Sequence, residues 1–463
     1  MAEHTVIMEN TLRKLLAEKK YATLREILIT MNPADIAAIF NDLEEERLPL
    51  LYRLLPKELA ADTFVEMDQE AQELLIRGFS DSELKEVLDE LFVDDAVDII
   101  EEMPATVVRR ILSQADPEMR KSINEILRYP ESSAGSIMTT EYISLRPQMT
   151  VAEAITRIRR TGIDKETIYT CYVTQDRTLI GVVTVKDLLL CDDDDRQIGD
   201  MMIEKVISVN THDDQEEVAQ MFSKYNFMAL PVVDTENRLV GIVTFDDAMD
   251  VMEEEATEDI EKMAAIIPSE KPYMSMSPFE IWKNRIPWLM LLMVSATFTG
   301  IIISHFESAL SKLVILTAFI PMLMDTAGNS GSQASVTIIR GLSLNEIEFK
   351  DIWQIIWKEA RVAVLCGVSL AIACFGKILL VDYVILGSFA EVTVASPFVI
   401  IGVICITLAI TVLFAKIVGC SLPLLAKKLG FDPAVMASPF ITTIVDALSL
   451  LVYFGVANLF LPL

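Results

Sequence analysis

The chain has 463 residues, 52% of them hydrophobic, and a formal net charge of −29. Its length allows about three domains of roughly 150 residues each. From residue 272 onward 11 Lys/Arg balance 11 Asp/Glu, so the whole net charge lies in residues 1–271. An acidic, water-exposed front half and a neutral, lipid-exposed rear half follow, a balance that excludes nucleic acid as a partner and attracts cations.

The six cysteines form no CxxC pair and there are only three histidines. The cysteines read as small buried hydrophobes, and soft or borderline metals lack ligands, whereas hard oxygen-seeking ions do not. The N-terminus, MAEHTVIMENTLRKLL, has no uninterrupted apolar stretch of the signal-peptide kind. The front half is therefore expected in the cytoplasm.

Residues 1–130 read as short amphipathic helices with Pro or Asp near their starts: NPADIAAIFNDL, PKELAADTFVEM, DSELKEVLDEL, VDDAVDIIEEM and DPEMRKSINEIL. Apolar residues recur at three- and four-residue spacing, as in Leu84, Val87, Leu88 and Leu91. No such unit buries its face alone, so neighbours must stack into an all-α superhelical domain. Residues 131–253 repeat internally. Ile143-Ser144 matches Ile207-Ser208, and GVVT ending at Thr184 matches GIVT ending at Thr244. Two strand–helix–strand–strand–helix units fit this, and the pattern resembles a tandem pair of CBS domains, with Thr184/Asp187 and Thr244/Asp247 closing the G-h-h-T-x-x-D signature. CBS pairs usually sense ligands, often adenine nucleotides. Residues 254–284 give an acidic linking helix, then a Pro-punctuated stretch.

Residues 285–463 contain five apolar segments long enough to span about 30 Å of hydrocarbon: 286–304, 313–339, 362–380, 392–415 and 434–461. With the N-terminus inside, Arg340, Lys350, Lys358 and Arg361, then Lys416, Lys427 and Lys428, fall in cytoplasmic loops. Glu307, Asp382 and Glu391 fall outside, with Lys312 the main exception. The positive-inside rule agrees. Five spans are an odd number for a self-contained pore, which favours a dimer sharing one pathway.

Two carboxylates lie at mid-span, Asp325 and Asp446. A charge at that depth costs about 2.5–3.5 kcal/mol on insertion scales, so it faces a polar pathway or a partner. Ser438, Thr442 and Asp446 recur every four residues, with Ser449 three further on, and draw an oxygen-bearing stripe. Asp432-Pro433 reads as a helix start, and Pro439 frees backbone carbonyls nearby. Paired across a dimer axis, such stripes suit a hydrated Mg²⁺, which gives up its waters reluctantly. On the second segment Gly328, Gly331 or Ser332, and Ser335 form a small-residue face, for which close helix packing is an equal explanation. Asn329 and Gln333 share another face. Thr326 and Asn329 can also satisfy Asp325 locally.

Helical repeats, a CBS pair, an acidic link and five spans, in this order, resemble the MgtE magnesium transporter family over essentially the whole chain. The most specific matches are DDQEEVA, LPVVDTENRLVGIVTFDDAMDV, EEEATEDI, GNSGSQ…IIRGL and DPAVMASPFITTIVDALSL. The resemblance implies a multi-pass homodimer of the cell membrane, whose pore is formed largely by the second and fifth spans with Asp446 as the cation-selecting carboxylate. It implies regulatory Mg²⁺ sites at Asp94 and Asp98, at Asp214, Glu216, Asp247 and Asp250, on the link at Glu255, Glu258 and Asp259, and at Asp432. One position acidic in some relatives is Asn226 here. An adenine nucleotide such as ATP is expected at Thr184 with Asp187 and at Thr244 with Asp247, a hydroxyl and a ribose-binding carboxylate in each case. A CBS-regulated enzyme is disfavoured, because no Walker-type GxxxxGK, nucleophile elbow or HExxH occurs. A transporter of another divalent cation or solute is the alternative; an anion pathway would want Arg, Lys or helix N-termini at depth.

Overall fold

The computed structural model describes residues 11–461 apart from 13, 42, 270, 272, 390–394 and 437, and apart from the side chains of 164 and 438. Glu391 thus lies outside the described residues. Met1–Met252 and Glu253–Leu463 form two compact units.

The first unit begins with short helices: α1 (Tyr21–Leu28), α2 (Pro33–Asn41), α3 (Leu48–Tyr52), α4 (Lys57–Val65), α5 (Gln69–Gly78), α6 (Asp81–Leu88), α7 (Val93–Glu102), α8 (Ala105–Gln114) and α9 (Pro117–Ile126). Prolines and caps keep them short. Ser80, for instance, closes a capping box on α6, its hydroxyl accepting from Glu83 N at 3.3 Å while its own N–H donates to Glu83 Oε2 at 2.7 Å. The segments 21–28, 48–52, 69–78 and 105–114 fall between the helices with the clearest start signals. Each helix buries one face, Leu84, Val87 and Leu88 on α6 for example, in a core that continues into Val218, Phe222 and Val243.

The expected repeat follows as two three-stranded sheets. β1 (Ser144–Leu145), α10 (Val151–Thr161), β2 (Thr170–Gln175), β3 (Thr178–Thr184) and α11 (Val185–Leu189) form one copy. β4 (Val209–Asn210), α12 (Gln215–Tyr225), β5 (Ala229–Val233), β6 (Leu239–Thr244) and α13 (Phe245–Met263) form the other. In both, the first strand runs parallel to the second and the second antiparallel to the third. Gly181 and Gly241 occupy equivalent places, where a Cβ would approach Met202 and Met138 sulfurs to 2.5 and 2.6 Å. That crowding explains the glycine of the repeat.

The second unit carries α14 (Pro278–His305), α15 (Glu307–Lys312), α16 (Ile320–Ser343), α17 (Ile352–Lys377), α18 (Pro397–Lys428) and α19 (Ser438–Phe460). Among the described residues four helical stretches are long and apolar enough to cross a membrane: 278–305, 349–385, 397–428 and 433–460. The second expected span differs. It is a 24-residue helix, about 36 Å long at 1.5 Å per residue, but its polar run from Asp325 to Gln333 takes it below that apolarity. It packs between α18 and α19, which provide the apolar surroundings. The fourth span also shifts: α18 starts at Pro397 and runs to Lys428, so Lys416, Lys427 and Lys428 are helical and not in a loop. Lys416 is buried in α18 with its ammonium 3.7 Å from Glu359 on α17. Lys427 and Lys428 sit in the last turn, where positive charge complements the helix dipole.

Candidate cation pathway and acidic gate

The small-residue face of α16 is used for packing. A Cβ on Gly328 would lie 3.1 Å from Thr442 Cγ2 of α19, and one on Gly331 would lie 3.0 Å from Ile441 Cγ2 and 3.1 Å from Ala415 O of α18. A Cβ on Gly419 would run into Gly331 O. Ser335 Oγ adds a bond to Met436 O at 3.2 Å, pinning α16 to the break before α19.

With that face occupied, another face of α16 carries Asp325, Asn329 and Gln333 at four-residue spacing, all exposed. Asp446 on α19 is half-buried and has Asp325 as its charged neighbour. Thr442 and Thr443 hydroxyls both donate to Pro439 O, at 2.9 and 3.0 Å. The Pro439 carbonyl itself is shared by two hydroxyls, whose lone pairs stay available as acceptors. Ser449 does not continue the stripe; it is buried, with no partner for its Oγ. The Ser438 side chain lies outside the described residues. Asp432 caps a 3-10 turn, its Oδ1 accepting from Ala434 N at 2.7 Å, and α19 proper starts six residues later than Asp432.

In the first unit the structure gathers more carboxylates than the sequence reading named. Asp94 and Asp95 at the start of α7 share one electrostatic neighbourhood with Glu166, Asp246 and Asp247, and Glu141 also acts on Asp95 and Glu166. Burial, then Asp247, pushes the Asp94 carboxyl well above the usual range. Burial and the same neighbours push Asp95 up to about 7 and Glu166 up to about 8, and burial pushes Asp247 up to about 6 despite its bond from Thr244. Asp94 Oδ1 and Glu166 Oε2 are buried without a hydrogen-bond partner. Adjacent acids at 94 and 95 were a legible signal; Glu166, in the segment between α10 and β2, carried none.

The other expected acidic residues are dispersed. Asp98 is exposed on α7. Asp214 caps α12, accepting from Glu216 N at 2.9 Å, while Glu216 Oε1 accepts from Gln220 Nε2 at 3.1 Å. Asn226 ends the same helix at φ 55°, a left-handed position that Asn tolerates well. Asp250, Glu255, Glu258 and Asp259 follow one another along α13. Near its end Asp259 Oδ2 accepts from Ser343 Oγ at 3.0 Å, and partial burial pushes this carboxyl up although Ser343 draws it back. Lys262 Nζ lies 2.6 Å from Glu258 Oε1 and 2.6 Å from Asp432 Oδ2.

The two Thr–Asp pairs of the repeat are not equivalent. Thr244 Oγ1 donates to Asp247 Oδ2, and Thr184 Oγ1 to Asp187 Oδ2, each at 2.5 Å. Asp247 is drawn into the buried acidic cluster. Asp187 is exposed on the five-residue helix α11, and the bonds it makes there belong to a capping box with Thr184. The Asp187 N–H donates to Thr184 Oγ1 at 3.1 Å, and Asp187 Oδ2 accepts from Thr184 N at 3.3 Å. The Asp187 expected to meet a nucleotide ribose is thus also a helix cap, with Oδ2 engaged by Thr184. T-x-x-D has the spacing of a capping box, so the signature also serves the helix start.

Among the described residues no three His, Cys, Asp or Glu side chains converge closely enough to hold a metal ion by themselves. The donors present are still carboxylate oxygens, two of them buried and unpartnered, and these suit a hard dication that keeps several waters.

A polar, carboxylate-bearing face among apolar helices, joined to acidic helical-repeat and CBS-like modules, defines a membrane transporter for cations. Family models agree: the MgtE intracellular N domain matches residues 31–132, the CBS domain residues 134–193 and 198–254, and the divalent cation transporter domain residues 320–456. The chain is 36% identical over 456 residues to the magnesium transporter MgtE of Thermus thermophilus, covering 97% of this chain and 98% of the relative. It is 32% identical over 453 residues to that of Bacillus subtilis, with 96% of each covered. A crystal structure of the cytosolic domain of the Mg²⁺ channel MgtE in complex with ATP aligns with TM-score 0.50 and 38% identity, covering 52% of this chain and 99% of that one. The chain belongs to the MgtE family.

Proposed function

We propose that the protein conducts Mg²⁺ across the cell membrane as a homodimer, N-terminus in the cytoplasm, and closes when cytoplasmic Mg²⁺ binds its acidic sites. The exposed row Asp325–Asn329–Gln333, beside Asp446, carries this reading. Such a row on a membrane helix calls for polar surroundings, and a second copy facing it supplies them. Asp446, Asp325 and the Thr442 oxygen would then attract a hydrated dication, consistent with relatives named as magnesium transporters.

The gate would work by linkage. Carboxylates at Asp94, Asp247 and their neighbours repel while Mg²⁺ is scarce, and bound Mg²⁺ favours the arrangement that brings them together. Asp98, Asp214, Glu216, Asp250, Glu255, Glu258, Asp259 and Asp432 are further contributors. The ATP complex of a related cytosolic domain supports an adenine nucleotide near Thr184 and Asp187, or near Thr244 and Asp247, as a second regulator. At the first of these places the cap bonds use Asp187 Oδ2, so Oδ1 would be the oxygen that meets the nucleotide. The domain division that goes with this is 1–130, 131–253, 254–284 and 285–463.

Flux of the full-length protein in liposomes, against cytoplasmic Mg²⁺, tests both parts. Asp446→Ala is expected to abolish Mg²⁺ flux or selectivity with assembly intact. Amides at Asp94, Asp247 and Glu258 together are expected to flatten the Mg²⁺ dependence. Wild-type selectivity in the first variant, or wild-type steepness and midpoint in the second, would refute the corresponding half.

A further inference from the structure

The end of the linking helix is held by a cation that the chain itself supplies. Glu258 and Asp432 are both acidic and both converge on one point, which unaided would drive them apart. Lys262 occupies that point, 2.6 Å from each. One turn of helix separates it from Glu258, so that pair is local to α13, whereas Asp432 stands beyond α18 at the entry to α19. Two further contacts fix the same place. Ser343, the last residue of α16, donates to Asp259, and Met263 packs on Ile339 and Ala434. The lysine is in the final turn of α13, where the helix dipole also favours positive charge.

We propose that Lys262 is a tethered counter-cation: it docks the linking helix in the absence of Mg²⁺, and cytoplasmic Mg²⁺ must displace it from Glu258 and Asp432. The proposal rests on the reading that Mg²⁺ closes the protein through these carboxylates, and it makes Lys262 a positioning residue that sets the threshold. Its ammonium carries one charge and three donors, enough to bridge two carboxylates but weaker than a shared dication. While it stays in place the helix is loosely docked. When Mg²⁺ enters, the ammonium is released to water, so the site gains one net charge rather than two and fills at higher Mg²⁺ than a lysine-free site would.

The charge-conserving and charge-removing variants separate these roles. In Lys262→Gln the Mg²⁺-free docked state loses its bridge, and Mg²⁺ meets no competitor at Glu258 and Asp432. Patch-clamp currents of the full-length channel, with cytoplasmic Mg²⁺ stepped from zero to the millimolar range, should then show two changes. The open fraction at zero Mg²⁺ rises by about two- to five-fold, the scale of a partly exposed ion pair, and the midpoint of closure moves to lower Mg²⁺. Lys262→Arg should stay near wild type in both. The proposal is overturned if Lys262→Gln matches wild type at zero Mg²⁺ and in the midpoint of closure, while Asp432→Asn still flattens closure. If wild-type current ignores Mg²⁺ altogether, the gating reading fails instead, and the displacement of Lys262 by Mg²⁺ fails with it. A difference between Lys262→Gln and wild type at zero Mg²⁺ would then still establish the docking role.

Discussion

Acid should stabilise the cytosolic half of this protein where acid usually destabilises, provided Mg²⁺ is absent. The perturbation is a change from pH 8 to pH 5 on residues 1–263 in chelator. Asp95 has its carboxyl raised from 3.8 to about 7 and Asp247 from 3.8 to about 6, in both cases first by burial. A carboxyl raised by folding binds its proton more tightly in the native state, so stability is lost as pH rises from the ordinary value through the raised one. For Asp95 that linkage returns roughly 2–3 kcal/mol between pH 8 and pH 5. Asp247 adds about 1 kcal/mol on the same scale, and both share neighbours with Asp94 and Glu166, which are raised in the same sense, so about 3 kcal/mol is the minimum taken forward. For a unit of this size about 1 kcal/mol moves the melting temperature by roughly 2–4 °C, giving a rise of about 6–12 °C. Mg²⁺ should produce a comparable rise at pH 8, about 2.7 kcal/mol at a hundredfold excess over Kd, and much less at pH 5, where protons already occupy the carboxylates. Differential scanning fluorimetry at both pH values, with and without Mg²⁺, reads all four corners. A melting temperature that is flat or falls on acidification in chelator refutes the reasoning, as does an equal Mg²⁺ increment at the two pH values.

Two further substitutions test the packing of the membrane unit. Gly419→Ala should cost about 1–3 kcal/mol, because its Cβ collides with the Gly331 carbonyl and α16 must move off α18; Gly402→Ala, where a Cβ meets nothing within 4 Å, is the control. Equal melting temperatures in detergent would contradict the close α16–α18 approach. Glu359→Gln should lower stability by about 3–5 kcal/mol by leaving the buried Lys416 charge unpaired, while the double variant Glu359→Gln/Lys416→Met recovers most of the loss. Additive losses in the double variant would show that the pair does not interact.

The soluble architecture was legible because its signals are local. Proline and Asp starts mark the repeat helices, and the twofold G-h-h-T-x-x-D marks strands whose turns and glycines recur in space at Gly181 and Gly241. The same signature says less about ligands: Asp187 and Asp247 share a sequence pattern, yet one is an exposed cap and the other part of a buried cluster. The membrane unit was less legible, since hydropathy reads composition and not neighbours. α16 escapes an apolarity test because Asp325, Asn329 and Gln333 interrupt it, yet its other side is packed on α18 and α19. Lys416 looked like a loop residue because a lone lysine usually ends a span; it is tolerated at depth through Glu359, 57 positions earlier in the chain. The acidic gate shows the same division. Asp94 and Asp247 were named from the family resemblance, whereas Glu166 became visible only once folding placed it in their neighbourhood, and Lys262 once it lay beside Glu258 and Asp432.

The distribution of these acids matters for how steep a gate can be. Moving a two-state gate from 1:99 to 99:1 takes about 5.5 kcal/mol of differential binding. A site that prefers one state tenfold supplies about 1.4 kcal/mol, so one such site gives a shallow response and about four are needed. The carboxylates that would supply them fall in one cluster around Asp94, Asp95, Glu166 and Asp247 and another at Glu258, Asp259 and Asp432. The two are not equivalent. Around Asp94 the price of closure without a dication is desolvation and repulsion, with two buried oxygens left unpartnered. At Asp432 that repulsion is already met by Lys262, so Mg²⁺ would gain there only by replacing a weaker cation. In the proposed gate the first cluster would therefore supply most of the Mg²⁺-dependent energy, and the second would mainly fix where on the Mg²⁺ scale the linking helix engages.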